Sequence, residues 1–127
     1  ASKNVIIYGH NMQSKTMFST LLKYEDKSYF EKYPTIRFDT IYEEGEYQIA
    51  FVMHARAYME GEDGYRYYDF IEPADEAEFN EHIAQFKKLS LYETGVDVSY
   101  EDSFIMLSTC EYSQQNGRMV VVAKRIK

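Results

Sequence analysis

The sequence predicts a mainly β protein with helices, of the α+β class, and three observations lead to this prediction. Two segments near the C-terminus, residues 104–110 and 119–123, are apolar at almost every position, which is typical of central strands buried on both faces. Residues 49–57 alternate between apolar and polar side chains, as a strand with one buried face does. Residues 75–91 instead carry apolar side chains at helical spacing.

The N-terminal third is predicted to form a strand, a helix and a second strand. The apolar run over residues 5–8 closes with Gly9 and indicates a buried strand that ends in a turn. A short amphipathic helix follows, with Ser14 available as its N-cap and an end near Asp26. Its apolar residues recur at three- and four-residue spacing: Met17, Phe18, Leu21, Leu22 and Tyr24. Pro34 breaks any preceding helix, and the alternation over residues 35–40 predicts a strand.

The middle of the chain is predicted to form a hairpin turn, a long strand, a surface loop and a helix. The turn covers residues 43–46, and the loop covers residues 60–68. The long strand places one apolar face opposite a polar face that includes His54. The apolar face comprises Ile49, Phe51, Met53, Ala55 and Ala57. Pro73 precedes the helix from Asp75 to Leu91, and five strands are expected in total.

Composition supports one folded domain over residues 1–127 and excludes some partners. The apolar fraction of 45% is too high for a disordered segment, and the net charge of −7 repels nucleic acid and anionic lipid surfaces. No apolar run approaches the roughly 20 residues of a membrane-spanning helix. Cys110 is the single cysteine, so the chain forms no internal disulfide. The thirteen tyrosines suit either an extracellular binding surface or half-exposed strands.

The last predicted hairpin brings the single thiol close to a cation. Seven residues separate Cys110 from Arg118, so strands that pair up to the loop make them cross-strand neighbours, with Cβ atoms about 5 Å apart. A guanidinium favours the reactive thiolate or stabilises an oxyanion beside it, whereas Glu111 opposes the thiolate. The alternative is that Cys110 is a small core residue and Arg118 a surface charge.

A nucleophilic cysteine also needs a base or an imidazolium partner, and the chain has three histidines. His82 lies one helical turn after Glu78, which is typical of a solvated helix face. His54 falls on the polar face of a strand and either lines a groove or is simply exposed. His10 follows a strand end, where functional loops often begin. Spacing alone does not choose among them.

Two segments resemble motifs of a known family. Leu107-Ser108-Thr109-Cys110, followed by an arginine at the start of the next strand, resembles the sortase signature Leu-x-Thr-Cys…Arg. Residues 4–12 resemble the strand that delivers the catalytic histidine of sortases, and residues 17–40 resemble the helix and strand that follow it. The long helix at residues 75–91 makes the resemblance closest to class B, because these sortases have such a helix before the cysteine strand.

The resemblance implies a site and a fold. His10, Cys110 and Arg118 would be the catalytic residues, and Asn11, Ser108, Thr109 and Glu111 would contact the substrate. No cofactor or metal is implied, and the acidic residues at 43, 44 and 46 are expected to be solvated. A complete class B sortase has an anchor, a helical region and about three strands before the histidine strand. We therefore expect these 127 residues to form an incomplete sortase-type β-barrel, the C-terminal portion of the catalytic domain.

The implied function is that of a cysteine transpeptidase outside the cytoplasmic membrane of a Gram-positive bacterium. It would cleave an Asn-Pro-x-Thr type sorting signal through a thioester on Cys110 and transfer the protein to an amine of the peptidoglycan cross-bridge or lipid II. Contact with the membrane would be made only by an anchor outside this chain. Two alternatives stay open: a hydrolytic cysteine peptidase, and a non-catalytic, tyrosine-rich extracellular module that binds haem or a protein.

Overall fold

The computed structural model describes residues 4–9, 21–39, 44–56, 70, 75–110 and 117–126, with the backbone alone at 7–9, 38, 39, 44, 56 and 110. Five strands form one sheet in the order β1-β4-β5-β3-β2. β1 is parallel to β4, and the other neighbouring pairs are antiparallel. The strands are β1 (Val5–Gly9), β2 (Thr35–Asp39), β3 (Glu44–Arg56), β4 (Phe104–Cys110) and β5 (Gly117–Arg125). The predicted class is confirmed, and the described residues contain the five expected strands.

Beside the sheet, the described part of the chain includes a 3₁₀ helix (Leu22–Glu25), α1 (Lys27–Lys32) and α2 (Glu76–Leu89). The Asp75 carboxylate caps α2 by accepting a hydrogen bond from the Glu78 N–H at 2.9 Å. The helix ends two residues before the predicted Leu91, because the Leu91 N–H donates to the Val52 carbonyl of β3 at 2.9 Å. No helix in the described ranges has the length and apolar character needed to cross a membrane.

The region before β2 differs from the prediction. Ser14 and the first part of the predicted helix lie outside the described residues, and the 3₁₀ helix ends at Glu25, close to the expected end. α1 was not predicted. Its N-cap is Asp26, whose carboxylate accepts from the Ser28 N–H at 3.0 Å. Ser28 also donates its hydroxyl, and these hydrogen bonds lower the pKa of Asp26.

The sheet separates two apolar clusters, as expected for central strands that are apolar on both faces. In β4, Phe104 and Met106 belong to one cluster, whereas Ile105 and Leu107 belong to the other. The α2 core comprises Ala50, Phe51, Met53, Ala55, Phe70, Phe79, Ile83, Phe86, Phe104, Met106, Val120 and Val122. The α1 core comprises Leu21, Tyr24, Phe30, Ile49, Val52, Ile105, Leu107, Met119, Val121 and Ala123.

A bulge in β3 overturns one part of the predicted alternation. Ile49 pairs with Ala123 and Phe51 pairs with Val122, so two steps along β3 match one step along β5. The extra residue changes the phase of the strand. Ile49 therefore belongs to the α1 core, whereas Phe51, Met53 and Ala55 belong to the α2 core. Ala57 lies outside the described residues.

Strands β2 and β3 form an antiparallel hairpin at one side of the sheet. The turn predicted over residues 43–46 is wrong, because Glu44, Gly45 and Glu46 already pair with β2. Residues 40–43, between the two strands, lie outside the described residues. β1 and β2 are the edges of the described sheet, which is open. This agrees with the expected incomplete barrel.

Candidate active site

The pairing of β4 with β5 places the cysteine position next to a cation, as predicted. Cys110, the last residue of β4, is the register partner of Arg118 near the start of β5. Directly paired residues of antiparallel strands have Cβ atoms about 5 Å apart. Only the backbone of Cys110 is described, so the exposure of its thiol stays a prediction.

Arg118 lies in the interior of the sheet, with Cys110 on one side and Ala55 of β3 on the other. Its side chain is half-buried, and its Nη1 donates a hydrogen bond to the Gly117 carbonyl at 3.0 Å. A guanidinium carries five N–H donors, and this bond uses one of them. Ala55 belongs to the α2 core, so the Arg118 position shares the α2 face of the sheet.

β1 and β4 are parallel, and their pairing stops at the same end of the sheet as the Cys110–Arg118 pair. Its last pair is Gly9 with Thr109. In the sequence, Gly9 is followed by His10, and Thr109 is followed by Cys110. His10 and Asn11 lie outside the described residues, as does Glu111, so the roles predicted for them stay predictions.

His54 lies on the other face of the sheet from Arg118. Its register partner is Met119 of the α1 core, and its Nε2 lies 2.7 Å from the Glu25 Oε2 in the 3₁₀ helix. β5 separates β3 from β4, so the His54 backbone is about 10 Å from β4. His54 therefore joins the 3₁₀ helix to the sheet and points away from the Arg118 face.

His82 is buried, so the predicted solvated helix face is wrong. Its side chain is within reach of Glu78, at 4.0 Å, but only 7% of the residue is exposed. The ring packs against Phe70, with centroids 5.7 Å apart, and Phe70 in turn packs on Phe104. Phe104 begins β4, six positions or about 20 Å from Cys110. His82 therefore belongs to the aromatic end of the α2 core.

The two residues before the cysteine are buried. Ser108 and Thr109 are each 1% exposed, and Thr109 Oγ1 has no hydrogen-bond partner in the described chain. A buried hydroxyl without a partner is energetically costly. The contact with a substrate that was predicted for Ser108 and Thr109 stays a prediction.

Two tyrosine hydroxyls join separate segments on the α1 side. The Tyr92 hydroxyl donates to the Tyr24 carbonyl at 2.6 Å, and the Tyr24 hydroxyl donates to the Tyr33 carbonyl at 2.9 Å. Burial, with help from neighbouring ionisable side chains, raises the pKa of Tyr24 to about 12 and also raises the pKa of Tyr92. Both phenols stay protonated at neutral pH and act as structural donors.

Sequence reasoning missed Asn4, whose buried amide joins the start of β1 to two other segments. Nδ2 donates to the Phe70 carbonyl at 3.2 Å, and Oδ1 accepts from the Phe104 N–H at 3.1 Å. The signal available in the sequence was a polar residue directly before a fully apolar run. Partners that lie 66 and 100 residues away in the chain give no local pattern.

Comparison with known proteins identifies the family. The family model described as the sortase domain matches residues 1–126. Sortase B of Listeria monocytogenes is 34% identical over 126 residues, covering 98% of this chain and 48% of that protein. Sortase B of Staphylococcus aureus is 35% identical over 126 residues, covering 98% of this chain and 49% of that protein. The chain thus spans about half the length of these relatives.

Solved structures give the same result at the level of the fold. A crystal structure of Staphylococcus aureus sortase B superimposes with a TM-score of 0.80 at 30% identity, covering 99% of this chain and 57% of that one. A sortase B complex with triglycine and a substrate complex of the Staphylococcus aureus enzyme have TM-scores of 0.80 and 0.78, each covering 99% of this chain and 56% of that one. The predicted resemblance to class B is confirmed, and the chain, matched over residues 1–126 by the family model, belongs to the sortase family.

Proposed function

We propose that the protein containing this chain is a cysteine transpeptidase of the sortase B type, with His10, Cys110 and Arg118 as its catalytic residues. The observation that carries the proposal is the register of the strands at the end of the sheet where β1 and β4 finish. β4 ends with Cys110 opposite Arg118, and β1 ends with Gly9 opposite Thr109. Parallel pairing carried one residue further would place His10 opposite Cys110, with backbones about 5 Å apart.

The described positions of the other two histidines support this assignment. His54 faces the α1 core and contacts Glu25, two strands away from β4. His82 is buried near the start of β4, whereas Cys110 is at its end. A partner imidazole must lie within hydrogen-bond reach of the groups it serves, and neither position meets that requirement. His10 is the histidine that remains.

The first half of the reaction forms a thioester. The Cys110 thiolate attacks the carbonyl carbon of the threonine in an Asn-Pro-x-Thr sorting signal, and the carbonyl oxygen becomes an oxyanion. When this intermediate collapses, the bond from carbon to the leaving nitrogen breaks, and His10 as imidazolium donates a proton to that amine. Arg118 donates hydrogen bonds to the developing oxyanion or to the adjacent peptide backbone.

The second half transfers the acyl group to an amine. The neutral amine attacks the thioester carbon and gives its proton to His10, which is now neutral. Collapse of this second oxyanion breaks the C–S bond, forms the amide and returns the Cys110 thiolate. The starting protonation states of Cys110 and His10 are thereby restored, and the two halves balance without an oxidant or reductant.

The relatives suggest the two substrates and the location. Sortase B structures include a substrate complex of the Staphylococcus aureus enzyme and a complex with triglycine. By similarity, the first substrate would be the sorting signal of a secreted protein, and the second a peptidoglycan cross-bridge amine or lipid II. The protein would act at the outer face of the cytoplasmic membrane of a Gram-positive bacterium, held by an N-terminal anchor, with residues 1–127 forming the C-terminal portion of one catalytic domain.

Turnover of an Asn-Pro-x-Thr peptide by the intact protein, with and without added triglycine, tests the proposal. We expect an amide-linked product with triglycine and loss of turnover in Cys110→Ala and His10→Ala. Hydrolysis that triglycine does not divert would indicate a cysteine peptidase instead. Peptide or haem binding that is unchanged in Cys110→Ala, with no turnover by the wild type, would indicate a binding module.

A further inference from the structure

The Asn4 side chain makes two hydrogen bonds at the start of β1, whereas the proposed catalytic site lies at the other end of this strand. The residue is 2% exposed and directly precedes Val5, the first residue of β1. Its Oδ1 accepts from the N–H of Phe104, the first residue of β4, at 3.1 Å, and its Nδ2 donates to the Phe70 carbonyl at 3.2 Å. One amide therefore joins β1, β4 and the segment before α2.

Both partners of this amide are buried backbone groups. Phe104 is 1% exposed and Phe70 is 0% exposed. A buried backbone N–H or carbonyl that loses its partner is strongly disfavoured. A shift of β1 along β4 would remove both hydrogen bonds at once, so these bonds favour one register.

The apolar residues of β1 do not select that register by themselves. The strand reads Val-Ile-Ile-Tyr-Gly, and a shift by one residue would exchange apolar side chains for other apolar side chains on each face. In the observed register Val5 is 47% exposed, and Ile6 packs against the α2 core. Asn4 differs from these apolar residues, because a shifted register would separate its amide from the Phe104 N–H and the Phe70 carbonyl and leave these polar groups without their present partners.

We propose that Asn4 is a positioning residue that sets the register of β1 on β4 and thereby places His10 opposite Cys110. This role rests on the proposed function of His10 and Cys110. A shift by one residue would move the end of β1 by about 3.3 Å along β4 and reverse the faces of its positions. Such a displacement is enough to separate an imidazole from the groups with which it exchanges protons.

The pH dependence of Cys110 alkylation by iodoacetamide tests this role without any peptide substrate. Asn4→Leu keeps the branched shape and the four heavy atoms of the side chain but removes both hydrogen bonds, whereas Asn4→Asp keeps an acceptor for the Phe104 N–H. Thr94→Val is the matched control, because it removes a side-chain hydrogen bond to a strand carbonyl, that of Ala50 at 2.6 Å, away from β1. His10→Ala gives the pH profile of alkylation that is expected when Cys110 lacks its proposed imidazole partner.

We expect the alkylation profile of Asn4→Leu to match that of His10→Ala, with kcat for the sorting peptide lowered at least tenfold and KM little changed. Asn4→Asp should lie between Asn4→Leu and the wild type, and it provides the test if Asn4→Leu does not fold. Thr94→Val should keep the wild-type profile at a comparable loss of thermal stability. Folded Asn4 variants with the wild-type profile and kcat would overturn the positioning role.

The proposed function fails by a different result. A wild-type protein that forms no thioester with any sorting peptide would contradict the transpeptidase, whatever the alkylation profiles show. If the wild type is active and His10→Ala alters the alkylation profile, any failure of the Asn4 variants to do so counts against Asn4 alone.

Discussion

At the scale of single residues, the role proposed for Arg118 depends on the direction of its hydrogen-bond donors as well as on its charge. It is half-buried beside the Cys110 position and uses one N–H for the Gly117 carbonyl. Lysine would keep the positive charge but replace a planar fork of donors by one compact ammonium on a flexible stem. A charge alone can favour the thiolate, whereas holding an oxyanion and a peptide backbone together requires several directed donors.

We therefore predict that Arg118→Lys lowers kcat by about 100- to 1,000-fold, the usual cost of losing an oxyanion donor. Alkylation of Cys110 by a small reagent should keep most of its rate, because the charge remains. Arg125→Lys, at the far end of the same strand, is the control and should leave both rates unchanged. Near-normal peptide turnover in Arg118→Lys would reduce Arg118 to a simple charge. Equal losses of turnover and alkylation would show that it sets the thiolate population.

The three histidines should respond differently to replacement by alanine. His54→Ala should leave peptide turnover within about twofold of the wild type, because His54 faces Glu25 on the α1 side. His82→Ala should lower the free energy of unfolding by about 2–4 kcal/mol, because it opens a cavity among aromatic rings. Its turnover, measured well below the melting temperature, should be preserved, whereas His10→Ala should abolish turnover. Loss of turnover in folded His54→Ala or His82→Ala would refute the assignment of His10.

The candidate site was predictable from the sequence only in part. The Cys110–Arg118 pair followed from two strongly apolar strands joined by a short loop, because the loop length of a hairpin limits the registers in which its strands can pair. The burial of His82 was not predictable, since it depends on Phe70, twelve residues earlier and in no regular pattern with the helix. His10 was selected by family resemblance, because spacing along the chain does not reveal which strands become neighbours.

At the scale of elements, strands and the long helix were predictable where periodicity was strong. α1 has six residues, too few for a helical period to stand out, and its one local signal was the capping residue Asp26. The bulge in β3 depends on the register of β3 against β5, which are far apart in sequence. A local alternation of apolar and polar residues gives no warning of such a change of phase.

Tyr92 and Tyr24 connect elements on the α1 side, and they predict how stability changes at alkaline pH. The folded protein raises the pKa of Tyr24 from 10.0 to about 12, and it raises the pKa of Tyr92 as well. A raised folded-state pKa means that the stabilisation is fully present below about pH 10 and is lost as the pH rises towards 12. We therefore expect the urea midpoint to fall steeply between about pH 10 and pH 12.

Replacing both buried phenols by phenylalanine isolates their contribution. The Tyr24→Phe, Tyr92→Phe double variant should be less stable at about pH 8, because it loses the hydrogen bonds to the Tyr33 and Tyr24 carbonyls. Its urea midpoint should then fall less steeply above about pH 10. Thr94→Val, which removes a hydroxyl hydrogen bond to the Ala50 carbonyl and no phenol, should keep the wild-type pH dependence. A double variant with the full wild-type alkaline loss would show that other groups cause it.

At the scale of the whole molecule, one open sheet has an apolar core on each face, and the proposed catalytic site lies at the end of strand β4. The aromatic cluster around Phe70 lies towards the start of β4, and the Cys110–Arg118 pair lies at its end. Asn4 precedes β1 and bonds to Phe104 at the start of β4, and His10 follows Gly9, the last residue of β1. The short strand β1 therefore links the buried aromatic cluster to the proposed site. The register between parallel strands is thus a property on which both fold and proposed activity depend.

The most direct test of the transpeptidase is the intact mass of the protein after incubation with an Asn-Pro-x-Thr peptide in the absence of an acceptor amine. We expect a mass increase equal to the acyl portion of the peptide that ends in threonine, located on Cys110 by digestion and released by hydroxylamine or triglycine. Cys110→Ala should show no increase. An unmodified Cys110 across a panel of such peptides, in a protein that is folded and whose thiol reacts with iodoacetamide, would contradict the account.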